Sequence, residues 1–395
     1  MVKRVIQKEL FSIKVFHLIS FLCCANILFA QSVWSLYNTS NSPLLDNSVT
    51  VLEKDNNGAI WVGCTWGLFL YENGNWVDFT DSVPNPQIRS VEVDVYNNVW
   101  VGTLNGLAMY NGSWNSFNND SLSSFTINDI ESDSSGVWLG TINGLYLFSN
   151  SVLSLILDNS SLEPFLNVSS LSYIGDSLCI GTINGGLGYL YNNTVNWTNI
   201  SSGMLDNTVV DIAVDETGIW CASPYGGVQR HFNNGDWYFY TPNLFLGWPS
   251  PDILSLFITE NSSLLVGSNE GGLIEFDKVN NSIIYNITTN NSGLVDNKIN
   301  DLLIDNEGLY WIGTENGLNT WNGVLSSIES TDYNQPFNLN NNQLLLSSPE
   351  NIRIYTINGQ KLIDKEKTKQ VNISGFSTGV YFVQINNITY KVVIY

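Results

Sequence analysis

The sequence is poor in the residues that most enzyme chemistry uses. It holds 2 histidines and 5 cysteines, and His17, Cys23 and Cys24 fall among residues 1–30, which leaves His231 and Cys64, Cys179 and Cys221 for the rest of the chain. A histidine-rich metal site is excluded, and a Ser-His-Asp triad would have to be built on His231 alone. An odd cysteine count without paired spacing gives no disulfide framework. The three read as small buried hydrophobes, with a Cys179–Cys221 bridge as the alternative. Basic residues are scarce too: 15 Lys and Arg face 36 Asp and Glu, a formal net charge of −21, and Lys3, Arg4, Lys8 and Lys14 stand before residue 31. Such a surface repels nucleic acid and anionic membrane. Past residue 30 no apolar run reaches the ~18–20 residues that span a bilayer. No segment between Trp34 and Ile328 keeps a 3.6-residue period, so helices are expected to be nearly absent there, and no motif for a cofactor is present.

What the chain has instead is a phrase repeated seven times. It reads Trp61-Val62-Gly63, Trp100-Val101-Gly102, Trp138-Leu139-Gly140, Cys179-Ile180-Gly181, Trp220-Cys221-Ala222, Leu265-Val266-Gly267 and Trp311-Ile312-Gly313, each followed by a polar turn closed at Gly67, Gly106, Gly144, Gly185, Gly226, Gly271 and Gly317. Successive anchors lie roughly 38 to 46 residues apart, the length of a four-stranded propeller blade. The first unit divides into apolar-rich runs Val49 to Asp55, Ile60 to Cys64, Leu68 to Tyr71 and Trp76 to Phe79, joined by short Asn- and Gly-rich turns that link antiparallel neighbours. The Asp-x-x-Gly turn recurs at Asp133, Asp215 and Asp305; a calcium loop is the other reading, but that ion needs six to eight oxygens at denser spacing. Some twenty-eight strands exceed an open sheet, whereas a closed ring leaves only short edges. The expected fold is all-β: a seven-bladed β-propeller over residues 31–328, followed by a small C-terminal β-sandwich. The last unit lacks the aromatic pair seen at Trp76/Phe79 and Trp114/Phe117, and that pair precedes the first unit as Trp34-Ser35-Leu36-Tyr37. The N-terminal segment is therefore expected to close the last blade, with Val324 to Ile328 as the alternative.

The phrase Asp-x-x-Gly, Trp-Val-Gly-Thr, Gly-Leu, Tyr resembles the two-component regulator propeller repeat, which in Bacteroidetes commonly forms the periplasmic sensor of hybrid histidine kinases. The resemblance covers most of residues 33–328 and weakens in units four to six, where Cys179, Ala222 and Leu265 replace repeat residues. No membrane helix or kinase segment follows in this sequence.

Residues 1–30 combine Lys3, Arg4, Lys8 and Lys14 with apolar Val15 to Leu22 and Ile27 to Phe29 and end in Leu28-Phe29-Ala30, the layout of a cleaved signal peptide. A lipoprotein reading on Cys23 and Cys24 is disfavoured because Leu22 stands where a small residue is wanted. Residues 329–395 form a separate module of short strands, Gln343 to Leu346, Ile352 to Ile357, Gln370 to Ile373, Val380 to Ile385 and Tyr390 to Tyr395, with a hairpin turn at Asn358-Gly359. Ile352 to Leu362, Ile373 to Val383 and the terminal Lys391-Val392-Val393-Ile394 resemble the C-terminal sorting domain of the type IX secretion system. The resemblance implies passage across the outer membrane by that machinery and release or attachment at the cell surface.

No constellation supplies a catalytic site, and the expected role is binding of a glycan or protein ligand by a monomer without a cofactor. Loops between second and third strands, and between blades, gather on one face of a propeller. There Trp66, Tyr225 and the insertion carrying Phe245 and Trp248 offer aromatics where sister units use other residues, and Arg89 replaces Thr50 and Asn128 at its repeat position. These five are the candidate ligand contacts. Trp61, Trp76, Trp100, Trp114 and Trp138 recur at fixed positions and are assigned to packing between blades. Acids recur as well: Asp129, Asp211 and Asp301 stand four residues before the turn aspartate, and Glu53, Glu92 and Glu131 two before it. They are expected to line the channel, either around a cation or as a hydrated acidic wall. Carboxylate-only glycosidase or lyase chemistry is the competing function.

Overall fold

The computed structural model describes residues 32–117, 126–158, 166–245, 247–260, 263–323, 337–340, 343–356, 361–373, 376, 379–385 and 388–394. The signal-like residues 1–30, the alternative closing segment Val324 to Ile328 and the hairpin turn at Asn358-Gly359 lie outside the described residues. Packing divides the chain into Met1–Val324 and Leu325–Tyr395.

The first unit contains seven four-stranded antiparallel sheets, the blades of a propeller. Blades 1 to 6 are meanders over 49–78, 88–117, 127–158, 168–198, 211–240 and 253–287. Blade 7 takes three strands from 299–321 and its fourth from Trp34–Tyr37, which pairs antiparallel with Gly317–Trp321 in the register Trp34 to Trp321 and Tyr37 to Leu318. The ring is closed by its N-terminal strand, as the misplaced aromatic pair indicates. Among the described residues helix occurs only as the short 3-10 turns Thr80–Ser82 and Ile200–Ser202.

The repeated phrase has a packing cause. Second strands such as Ile60–Cys64 and Val99–Thr103 are buried along their whole length. Their small residue faces the first residue of the next blade: a Cβ on Gly63 would lie 2.6 Å from Ile88, one on Gly102 2.7 Å from Ile127, and one on Gly313 2.9 Å from Val49. Real carbons do not approach so closely, so a branched residue can seat against the neighbouring strand only where the facing side chain is absent. The turn glycines obey a different rule. In blades 1, 2, 3 and 7 the glycine that follows the turn takes positive φ, as at Gly144 (φ +126°). Blades 4 to 6 carry one more turn residue, and the second glycine of each pair does this, at Gly186, Gly227 and Gly272, rather than Gly185, Gly226 and Gly271.

The Asp-x-x-Gly segments are turns, as is Asp94 to Asn97 in blade 2, where Asn97 stands in place of the glycine. Asp55 Oδ1 accepts the backbone N–H groups of Asn57 and Ala59, Asp305 Oδ1 those of Glu307 and Leu309, and Asp94 Oδ1 those of Tyr96 and Asn98. Among the described residues no group of three or more His, Cys, Asp or Glu side chains is placed to hold a metal ion. Cys64, Cys179 and Cys221 are free and buried, so the alternative bridge is not formed.

The C-terminal unit is one five-stranded sheet, Phe337–Asn340, Gln343–Thr356, Lys361–Asn372, Gly379–Ile385 and Ile388–Ile394. The runs at Gln343 and Ile352 are two ends of one long strand, and the run at Gln370 is the end of another. Register shifts between Leu345 and Ile352 break the first strand into two pairing zones. Leu344 and Leu346 from one zone and Ile352 and Ile354 from the other share a core with Val371, Tyr381 and Val383, so both zones wrap one apolar interior.

Candidate functional site

In each meander the first strand starts, the second ends and the third starts at the same end of the ring. That end carries a cavity of about 550 Å3 lined by first-strand and turn residues of blades around the ring. In six blades the second residue of the first strand forms an inner collar on this cavity: Thr50, Arg89, Asn128, Ser169, Leu254 and Asn300. Four of these side chains tie blade to blade. Thr50 Oγ1 donates to the carbonyl of Ile88 (3.0 Å), Asn128 Nδ2 to that of Val168 (2.7 Å), Asn300 Nδ2 to that of Val49 (2.8 Å) and Ser169 Oγ to that of Val209.

Arg89 occupies the same place in blade 2 but makes no such bond, and its exposed guanidinium has no hydrogen-bond or ion-pair partner among the described residues. The other cation at the mouth, Lys298, is bonded to Glu315 at 2.8 Å, and that contact holds the Glu315 carboxyl below its usual range. Arg89 is therefore the free positive charge of a cavity whose remaining polar wall is amide and hydroxyl.

Deeper along the first strands lie the recurrent acids. Asp129, Asp211 and Asp301 each use one oxygen for the next backbone N–H of their own strand and the other for an N–H of the next blade: Leu171 (2.6 Å), Leu256 (2.7 Å) and Leu52 (2.7 Å). They latch blades 3 to 4, 5 to 6 and 7 to 1. Burial lifts all three carboxyls, Asp211 to about 6, Asp301 to about 7 and Asp129 well above its usual range, against the pull of those N–H groups. Glu53, Glu92 and Glu131 follow two residues on in blades 1 to 3. Burial raises Glu92 to about 7, offset in part by the Ser132 hydroxyl that donates to it at 2.7 Å. Burial and then the like charge of Glu92 raise Glu131 to about 9 and Glu53 well above the usual range. None of these six lines the mouth cavity.

Of the five candidate contacts, Trp66 and Tyr225 stand on turns at the mouth end, 51% and 82% exposed, and Arg89 is on the cavity wall. Phe245 and Trp248 are placed elsewhere. Trp248 is 3% exposed, with its ring centroid 5.6 Å from that of Tyr240 and 5.7 Å from that of Phe276, and Phe245 packs on the same cluster. The insertion tucks its aromatics between blades 5 and 6 because an apolar gap there accepts them, so they are removed from the contact set. Asn128, Ser169 and Asn300, absent from the sequence-based set, belong to the collar. Their signal was the shared second place in the first strand, which only Arg89 had drawn attention to. His231 lies on a third strand, its Nδ1 2.5 Å from the Tyr189 hydroxyl and its ring stacked on Trp237, and burial lowers its pKa.

Comparison with known proteins agrees with this architecture. Residues 333–394 match the family model of the secretion system C-terminal sorting domain, and residues 43–66 and 293–316, in blades 1 and 7, match that of the two component regulator propeller. No curated protein matches the sequence. Among solved structures, the chain is similar to the extracellular domain of BT3049 from B. thetaiotaomicron, named as a hybrid two component system (16% identity, 91% of this chain and 56% of that one, TM-score 0.64). It is similar also to the corresponding domain of BT4673 from the same organism (19%, 86% and 47%, 0.62), and to a streptogramin B lyase (12%, 75% and 99%, 0.60). The chain spans about half the length of the two B. thetaiotaomicron domains. At these identities the likeness is one of fold. The protein is a seven-bladed propeller with regulator-type repeats and a C-terminal secretion sorting domain, which marks it as secreted or held at the cell surface.

Proposed function

We propose that this chain is a non-catalytic binding protein, exported by the type IX machinery after loss of residues 1–30, that captures an acidic glycan or an acidic segment of a protein at the propeller mouth. The observation that carries this reading is the unpartnered Arg89 guanidinium on the wall of a 550 Å3 cavity, a size within the ~300–1,000 Å3 of small-ligand sites. In a chain of net charge −21 a free cation surrounded by Asn128, Asn300, Ser169 and Thr50 selects a carboxylate or sulfate, with neutral groups to read hydroxyls. Trp66 and Tyr225 on turns of the same end supply flat faces for sugar rings or side chains.

Catalysis finds less support. A glycosidase pairs a raised acid with a second carboxylate across the substrate, and Glu92 and Glu131 have the raised pKa, but these acids stand apart from the cavity wall and the three aspartates are engaged as latches. The single histidine of the propeller is packed against Tyr189 and Trp237 on a third strand. A glycan array that includes uronate-bearing and sulfated oligosaccharides, read beside a reducing-sugar assay, tests the proposal. Binding of acidic glycans without product release is expected, and Arg89→Ala should weaken it about tenfold to a hundredfold, the loss of a charge-assisted bond worth ~1.5–3 kcal/mol. Release of reducing ends, or binding indifferent to Arg89→Ala, overturns it.

A further inference from the structure

The hydrogen bonds of the mouth collar narrow what its ligand has to be. The hydroxyls of Thr50 and Ser169 donate to carbonyls of the next blade. Asn128 uses both N–H groups of Nδ2, on the carbonyl of Val168 (2.7 Å) and on Asn167 Oδ1 (3.0 Å). The Asn300 amide, bonded to the carbonyl of Val49, joins Lys298 and Ser48 in holding the Glu315 carboxyl low. These donors are committed to the ring itself, and what the four side chains keep for a ligand is oxygen lone pairs. Arg89 is the exception on the collar, its guanidinium donors free among the described residues.

The wall is also uneven around the ring. First strands of successive blades are neighbours and the seventh meets the first, so blades 5 and 6 are the two farthest from blade 2 and its Arg89. Toward that side the mouth is apolar. Leu254 takes the collar place in blade 6, where blades 1, 3, 4 and 7 carry Thr50, Asn128, Ser169 and Asn300, and Ile183 lines the cavity from the turn of blade 4; both are half-buried. Between them in ring order, Val210 of blade 5 is half-buried against the core of blades 5 and 6. Aliphatic residues on a wall that is otherwise amide and hydroxyl leave apolar surface toward the cavity, which an apolar group of a ligand covers.

A matching ligand brings one anion, hydrogen-bond donors beside it and an apolar group across the ring. A sugar acid supplies the first two. A peptide with a free C-terminus supplies all three: its last residue holds a carboxylate and an N–H on one Cα, to meet Arg89 and the acceptors Thr50 and Asn128 that flank it in blades 1 and 3, and a side chain of the peptide reaches the apolar side. A segment with several acids is repelled by a chain of net charge −21. We propose that the mouth binds the free C-terminus of a peptide, with the carboxylate on Arg89 and an apolar side chain on Leu254 and Ile183. This rests on the reading of the mouth as the binding site and selects a protein ligand over a glycan.

Calorimetric titration of the purified chain tests this with acetylated alanine tripeptides carrying leucine at the first, second or third position, with acetyl-trialanine, with the C-terminal amide of the best binder and with tetragalacturonate. At least one leucine peptide is expected to bind more tightly than tetragalacturonate, and about threefold to tenfold more tightly than acetyl-trialanine. Amidation of its C-terminus, or Arg89→Ala, should weaken it by about tenfold or more. Leu254→Asn, which installs the residue that blades 3 and 7 carry, should leave thermal melting unchanged and remove most of the advantage of leucine over alanine. Tetragalacturonate bound more tightly than every peptide, and lost with Arg89→Ala, overturns the inference while the mouth keeps its role as a site for acidic ligands. Peptide binding unmoved by amidation, or no gain from leucine at any position, overturns it as well. If no probe binds in an Arg89-dependent way the inference falls, and the glycan array then decides whether the reading of the mouth falls with it.

Discussion

At the scale of single residues, the positions that repeat most strictly do so because a neighbouring blade occupies the space beside them. Gly63, Gly102 and Gly313 are small because Ile88, Ile127 and Val49 sit where their side chains would be. The channel aspartates obey a related constraint, since each must reach an N–H of the next blade, and burial there gives them an unusual pH dependence. A carboxyl whose folded pKa is raised keeps its proton in the folded state at pH values where the unfolded chain has released it. Its contribution to stability is whole below about pH 4 and is lost as pH rises through the folded value. For Asp211, Asp301 and Glu92 that window runs from about 4 to the folded values of about 6, 7 and 7. Asp215 has the opposite sign. Although burial opposes it, the hydrogen bonds from Lys278, at 2.8 Å, and from Thr217 and Trp220 hold its carboxyl low, so it stabilises the fold above the usual carboxylate range and sets the acid limb. The melting temperature is therefore expected to fall between about pH 5 and pH 8, and Glu92→Gln should flatten that slope. A melting temperature independent of pH across this window, or a slope unchanged in the variant, counts against the buried acids as its source.

Elements come next, and here the sequence was most legible. Alternation of short apolar runs with Asn-Gly turns defined the strands of the first blade to within about a residue, because hydrophobic period and turn chemistry are local. The closing strand was legible for the same reason: an aromatic pair missing from the last unit and present before the first. It is held by more than backbone pairing. Trp34 stacks on Trp321 with centroids 5.3 Å apart, and Tyr37 lies among Trp311, Tyr71 and Trp76. Removing residues 31–38 should leave Gly317–Trp321 as an open edge and strip these rings of a partner. We expect a fall in melting temperature of at least about 5 °C, measured by circular dichroism on the chain with and without the segment. An unchanged melting temperature would contradict closure by this strand. Where legibility failed, the cause was tertiary. Phe245 and Trp248 look like solvent-facing aromatics until blade 6 is placed beside them. The fusion of two short runs into Gln343–Thr356 depends on register shifts that no local pattern announces.

On the scale of the whole molecule, the ring and the C-terminal module carry different information. The ring brings residues far apart in sequence to one collar, so the repeat position that Arg89 shares with Asn128, Ser169 and Asn300 becomes a site only once the blades close. The module is legible as a motif, residues 333–394 matching the secretion sorting domain. The two units each hold their own apolar core, so each is expected to fold by itself. Expressed in its native host, the full chain is expected outside the cell without residues 333–394, the segment that matches the sorting domain. A chain ending at Thr331 should stop in the periplasm with its propeller folded. Mass spectrometry of periplasmic, surface and medium fractions decides between these fates, and circular dichroism of the periplasmic form separates failed export from failed folding. Export of the truncated chain would show that the propeller itself carries the signal, and an intact C-terminus on exported protein would show that the module stays as part of the mature molecule.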